Sequence, residues 1–137
     1  MPLPAYPRKG KNTAAVGDYG TLSSATTVTA GTYVKQSAAD AITAFAGGGQ
    51  TNATALPASF NRVATVATAN DSVKLPASVA GRSVYVVNGS ANSMQVFGAG
   101  TDTINDVATA TGVAQAAGKS ATYFCPVAGK WYRVLSA

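Results

Sequence analysis

Apolar residues recur along this chain in two different rhythms, and the change between them falls near residue 50. Over residues 37–46, Ala38, Ala41, Ile42 and Phe45 fall at i, i+3, i+4 and i+7, the spacing of one helix stripe. Ser37 stands where an N-cap belongs, Asp40 lies in the first turn, and Gly47-Gly48-Gly49 ends the run. The pattern predicts a short helix near 37–46, one that must pack on something to persist.

Beyond residue 53 the rhythm shortens. The segments 60–67, 71–75, 82–88, 93–97, 111–116, 119–125 and 130–136 are rich in Val, Tyr, Phe and Thr and are bounded by Gly, Asn and Pro. Each reads as a strand. About seven short strands with a turn signal every ten residues or so predict an all-β domain, an antiparallel β-sandwich or a barrel-like closure. Ala80-Gly81-Arg82, Ala117-Gly118-Lys119 and Ala128-Gly129-Lys130 each precede a strand. Glycine there supplies the positive φ of a turn, and the irregular spacing argues for turn chemistry rather than a solenoid repeat.

Several strands are apolar on both parities, where one-sided burial would alternate. Val84 and Val86 oppose Tyr85 and Val87, Tyr123 and Cys125 oppose Phe124, and Trp131 and Leu135 oppose Tyr132 and Val134. One interior cannot cover both sides; the N-terminal segment and the short helix can cover part, and a subunit interface is the natural cover for the rest. Tyr85, Val87, Phe124 and Tyr132 are therefore the candidates for an interface between copies of the chain, a homo-oligomer.

Residues 1–12, MPLPAYPRKGKN, have no apolar period and hold three prolines. Together with the Thr-, Ala- and Gly-rich residues up to 35 they read as an extended N-terminal arm before a β-domain over 36–137. Charge sharpens this reading. The chain of 137 residues carries ten Lys and Arg against five acids, a net charge of +5. Three of the cations, Arg8, Lys9 and Lys11, lie in the first eleven residues of the arm, which suits an acidic partner surface. The remaining cations are scattered singly, unlike a nucleic-acid face, so no nucleic-acid partner is expected.

Composition narrows the chemistry. There is no His and a single Cys, so imidazole-based triads, thiolate clusters and the usual zinc sites are excluded. Cys125, in Tyr123-Phe124-Cys125-Pro126, reads as a small buried hydrophobe. Asp102 and Asp106 in TDTINDV read as loop acids rather than a catalytic pair. The three N-x-Ser/Thr sequons, at Asn52, Asn70 and Asn88, read as products of composition. Trp131 reads as core, although an exposed Trp131 or Tyr85 can stack on a sugar. No signal peptide and no membrane-length apolar run is visible. The expectation is a soluble, non-enzymatic protein without cofactor or metal, made in the cytoplasm.

The residues also carry a likeness. Val63–Val66, Asp71–Pro76 (DSVKLP), Ala80–Asn88 (AGRSVYVVN), Gln95–Phe97, Asp102–Asn105, Ala117–Pro126 and Ala128–Tyr132 form a segment that resembles tailed-bacteriophage virion structural proteins. Ala44–Ala53 is similar to the lead-in of such segments. The likeness covers about residues 40–137, and nothing in 1–35 matches. It implies a particle component of the capsid decoration (cement) or head-spike type, and no catalytic or cofactor residue. A decoration protein on the outer capsid surface, binding the major capsid protein and favouring a trimer, is the expected function. Pro4, Tyr6, Arg8, Lys9 and Lys11 are then the capsid-contact candidates. The alternative is a head-spike, fibre or tail-associated adhesive module that binds the host surface.

Overall fold

The computed structural model describes residues 36–137. The expected arm, with Pro4, Tyr6, Arg8, Lys9 and Lys11, lies outside the described residues. The described residues contain ten strands and no helix: β1 (Ala38–Thr43), β2 (Thr54–Ala55), β3 (Phe60–Thr65), β4 (Ser72–Lys74), β5 (Ser83–Asn88), β6 (Met94–Phe97), β7 (Thr103–Ile104), β8 (Val113–Gln115), β9 (Ser120–Val127) and β10 (Lys130–Leu135). They form a six-stranded sheet in the order β1-β3-β5-β9-β10-β7 and a four-stranded sheet in the order β2-β4-β6-β8.

The chain alternates between the sheets. β1, β3 and β5 stack in parallel in the first, and β2, β4 and β6 in parallel in the second. A parallel pair needs a long crossover, and here each crossover includes a strand of the opposite sheet instead of a helix. The result is β-solenoid-like winding, not the expected antiparallel sandwich or barrel. No fixed period betrays it, because the coils are unequal. Ala38 pairs with Phe60 and Phe60 with Tyr85, steps of 22 and 25 residues. The antiparallel expectation holds only at the C-terminal end, where β8 pairs with β6, β9 pairs with β5, and β10 turns back on β9.

The expected helix over 37–46 is strand β1. Its N-cap candidate does other work: Ser37 Oγ accepts the Ser59 amide at 3.0 Å, and the Ser37 carbonyl accepts the Phe60 amide at 3.0 Å. Ala41, counted in the helix stripe, has a φ of 56°, and the register shifts between Ala39 and Ile42. That bulge turns Ile42 and Ala44 toward the core while Ala38 and Ala41 stay exposed. A ten-residue helix is marginal alone, whereas β3 offers a full row of backbone partners. Gly47, Gly48 and Gly49, all at positive φ, make the corner that leads away from β1.

The core lies between the sheets. Val63, Val84, Val86, Tyr123, Cys125 and Trp131 enter it from one side, and Val73, Met94, Val96 and Val113 from the other. Each such side chain contributes roughly 1.5–3 kcal/mol on burial. Polar residues join them. Asn88 Nδ2 donates to the carbonyls of Asn92, Gln115 and Ala116, and Gln115 Nε2 donates to those of Val86 and Lys119. Asn88 Oδ1 also accepts the Ser90 amide at 3.1 Å, so this residue both caps the turn after β5 and ties β5 to the loops around β8. The turn glycines Gly81, Gly118 and Gly129 have φ of 86°, 69° and 88°, as the repeated Ala-Gly-basic triplets predict.

Candidate interaction surface

The outward side of the six-stranded sheet gathers the apolar residues that the core leaves behind. Along β5, Val84, Val86 and Asn88 face inward, so Ser83, Tyr85 and Val87 face out. Along β9, Ala121, Tyr123 and Cys125 face inward, so Thr122 and Phe124 face out. Pairing carries the row across the sheet: Phe60 lies opposite Tyr85, Tyr85 opposite Thr122, and Thr122 opposite Val134. Ser83 lies opposite Phe124, and Phe124 opposite Tyr132.

The four candidates Tyr85, Val87, Phe124 and Tyr132 therefore share one surface, as strand parity requires. Phe60 and Val134 extend it, Val134 on the side of Tyr132 as its parity predicts, whereas Leu135 lies opposite the inward-facing Ala121; Phe60 the sequence reading missed. Phe60 was legible in principle, because Asn61 and Val63 set the inward parity of its strand. Phe60 is 43 % exposed, Phe124 39 % and Val134 61 %.

Two aromatic pairs stand on this surface. The Phe60 and Tyr85 rings stack with centroids 4.5 Å apart and planes 6° apart. Phe124 and Tyr132 stack at 6.0 Å and 29°. A shallow groove of about 440 Å³ beside the first pair is lined by Tyr85, Val87, Thr122, Val134 and Leu135, among others. Offset aromatic pairs hold their rings in place more firmly than area alone would.

Two ion pairs flank this surface, one of them beside Val87. At the β1 edge, Arg62 Nε donates to Asp40 Oδ1 at 2.6 Å, and the Ala41 amide donates to the same oxygen. The Arg62 bond, then the Ala41 bond, hold the Asp40 carboxyl below its usual range. At the opposite edge Asp106 accepts from Lys130 Nζ at 2.6 Å and from the Tyr132 hydroxyl at 2.9 Å. Those bonds lower the Asp106 pKa and raise that of Tyr132, whose donated proton is held by the carboxylate.

Asp102 and Asp106 do not face each other's partners. Asp102 accepts from the Ser78 amide at 2.8 Å and the Ser78 hydroxyl at 2.9 Å, as a loop clamp. Cys125 is buried, its thiol directed at the Val127 carbonyl at 3.2 Å. Trp131 is fully buried, so of the two aromatics able to meet a sugar only Tyr85 remains accessible. Among the described residues, no three His, Cys, Asp or Glu side chains are grouped to hold a metal ion, and no helix is long and apolar enough to cross a membrane.

Fold and surface together define, over the described residues, an all-β, β-solenoid-like domain with an apolar sheet face that no other described residue covers. No protein-family model, no curated protein sequence and no solved structure matches the chain.

Proposed function

We propose that this chain is a structural, non-enzymatic protein of a tailed-phage particle, one that decorates and stabilises the outer capsid surface as a homo-oligomer, with a trimer favoured. The observation that carries the reading is the contiguous apolar face of Phe60, Tyr85, Val87, Phe124, Tyr132 and Val134. A face of this kind is covered in the working state, and a sister subunit is the cover proposed. The likeness of residues 40–137 to virion proteins supplies the setting. In this reading the arm, through Pro4, Tyr6, Arg8, Lys9 and Lys11, contacts the major capsid protein. Many weak contacts repeated over a lattice then sum to firm attachment.

Two measurements test it. Quantitative mass spectrometry of purified virions is expected to count on the order of hundreds of copies per particle, as repetition over a symmetric shell requires. A count of about a dozen or fewer would reassign the chain to a spike, fibre or tail-associated adhesive role. Purified protein is also expected to coat expanded heads that lack it, with occupancy reduced when residues 1–12 are deleted. Undiminished occupancy of the deletion variant removes the arm as the anchor.

A further inference from the structure

Where β3 and β5 begin, two adjoining clefts of about 230 and 530 Å³ share Ser59, Arg82 and Ser83 as walls. Ser37 lines the first, and Gln36, Val79 and Tyr85 line the second. We propose that this double cleft binds a carboxylated sugar, such as a uronic or sialic acid unit of a polysaccharide. The proposal does not rest on the decoration reading, but the two share Tyr85, whose side toward this cleft must stay open when the outer sheet face is covered.

The case begins with Arg82. The turn before it is tightly held: the Gly81 amide donates to the Cys125 carbonyl at 2.8 Å, the Cys125 amide to the Arg82 carbonyl at 2.9 Å, and the Arg82 amide to the Val79 carbonyl at 3.0 Å. Gly81 supplies the φ of 86° that this turn needs. Arg82 Nη1 donates to the Ala77 carbonyl at 2.8 Å, which fixes the guanidinium and occupies one of its five N–H groups. The rest of the planar fork suits a carboxylate. Among the described residues no carboxylate lines either cleft, whereas Arg62 and Lys130 each have their own Asp. Among the described residues, then, Arg82 offers an incoming anion a positive charge that no carboxylate offsets.

The rest of the lining decides which anion. A peptide carboxylate only accepts hydrogen bonds, so donors alone would serve it. This cleft holds hydroxyls and an amide that both donate and accept: Ser37 and Ser59, whose Oγ atoms lie 3.3 Å apart, Ser83, and the Gln36 side chain. Sugar hydroxyls have the same dual character. Tyr85, held upright by its stack on Phe60, adds a flat apolar wall with a polar tip. One fixed cation, several two-way hydrogen-bonding groups and one aromatic wall match a sugar acid better than an acidic peptide.

The test is an NMR titration of the full-length chain with D-glucuronic acid, alongside D-glucose and glutarate as neutral-sugar and bare-carboxylate controls. Glucuronate is expected to shift the amides of Ser59, Arg82 and Ser83 saturably, and both controls to bind more weakly. Arg82→Gln is expected to weaken glucuronate binding by about tenfold or more, with unchanged melting. Ser83→Ala, a milder change at the same wall, is expected to weaken it by a smaller factor. No saturable shift with glucuronate overturns the proposal. So does equal binding of glutarate, which would point to an acidic peptide or an adventitious anion, and so does Arg82→Gln binding as well as the wild type.

Discussion

The Tyr123 hydroxyl donates to Gln115 Oε1 at 3.0 Å inside the core, joining β9 to β8 across the gap between the two sheets. Both residues are fully buried. Since Gln115 Nε2 is already committed to Val86 and Lys119, the tyrosine completes the amide's partners. Tyr123→Phe keeps the ring and leaves a buried acceptor unpaired, at a cost of about 1–3 kcal/mol. Urea unfolding of the two proteins, compared at equal m-value, measures the loss.

The same tyrosine sets an alkaline limit. Burial pushes its pKa up from 10.0 to about 12, because the phenolate is poorly solvated between the sheets. The folded protein therefore holds this proton where the unfolded chain releases it. The contribution is complete below pH 10 and is lost as pH rises from 10 toward 12, a fall of roughly 2–3 kcal/mol over that window. Tyr123→Phe is expected to flatten the stability–pH curve across it.

At the acid end the sensitive group is Asp71, a buried carboxylate at the start of β4. It accepts from the Thr68 amide at 3.0 Å, the Thr68 hydroxyl at 2.8 Å and the Gly47 amide at 3.2 Å, pinning two corners together. The Thr68 bonds above all hold its pKa below the usual 3.8. Its stabilising effect is present above that value and is lost as pH falls through the depressed one. Asp71→Asn is expected to melt at a lower temperature at neutral pH and to lose less stability on acidification, as thermal scans over a pH series will show.

The single Trp131 reports on the core without any change to the chain. It is fully enclosed, and its indole N–H finds no hydrogen-bond partner among the described residues. Its emission is expected to be blue-shifted and resistant to iodide, and to move red on unfolding. Trp131→Ala should cost about 3–5 kcal/mol through the cavity it leaves. Ready quenching in the native state would place the ring outside the core.

The outer sheet face predicts a separation of assembly from folding. Val134→Asp puts a charge at the β10 end of the apolar row, at an exposed residue of the described domain. Sedimentation is expected to show an oligomer for the wild type and a monomer for the variant, with the melting of the isolated subunit shifted by no more than about 0.5 kcal/mol equivalent. A wild-type chain that sediments as a monomer at micromolar concentration removes the proposed cover.

Local pattern alone determined much of this protein. All seven segments of alternating or doubly apolar residues are strands, because β-branched and aromatic side chains between turn residues have few other ways to be buried. The parity of those strands likewise placed Tyr85, Val87, Phe124 and Tyr132 on one side, since successive side chains on a strand must alternate. What only the tertiary structure decided were the partners. Residues 38–43 carry a helix stripe, yet the open edge of β3 draws them into a sheet through a bulge at Ala41. The two-residue strands β2 and β7 are too short to have a period at all. The choice between antiparallel hairpins and parallel coils rests on contacts twenty or more residues apart, such as Phe60 with Tyr85. Turn chemistry fixes where a chain bends. Which strand it then meets depends on how the whole interior closes.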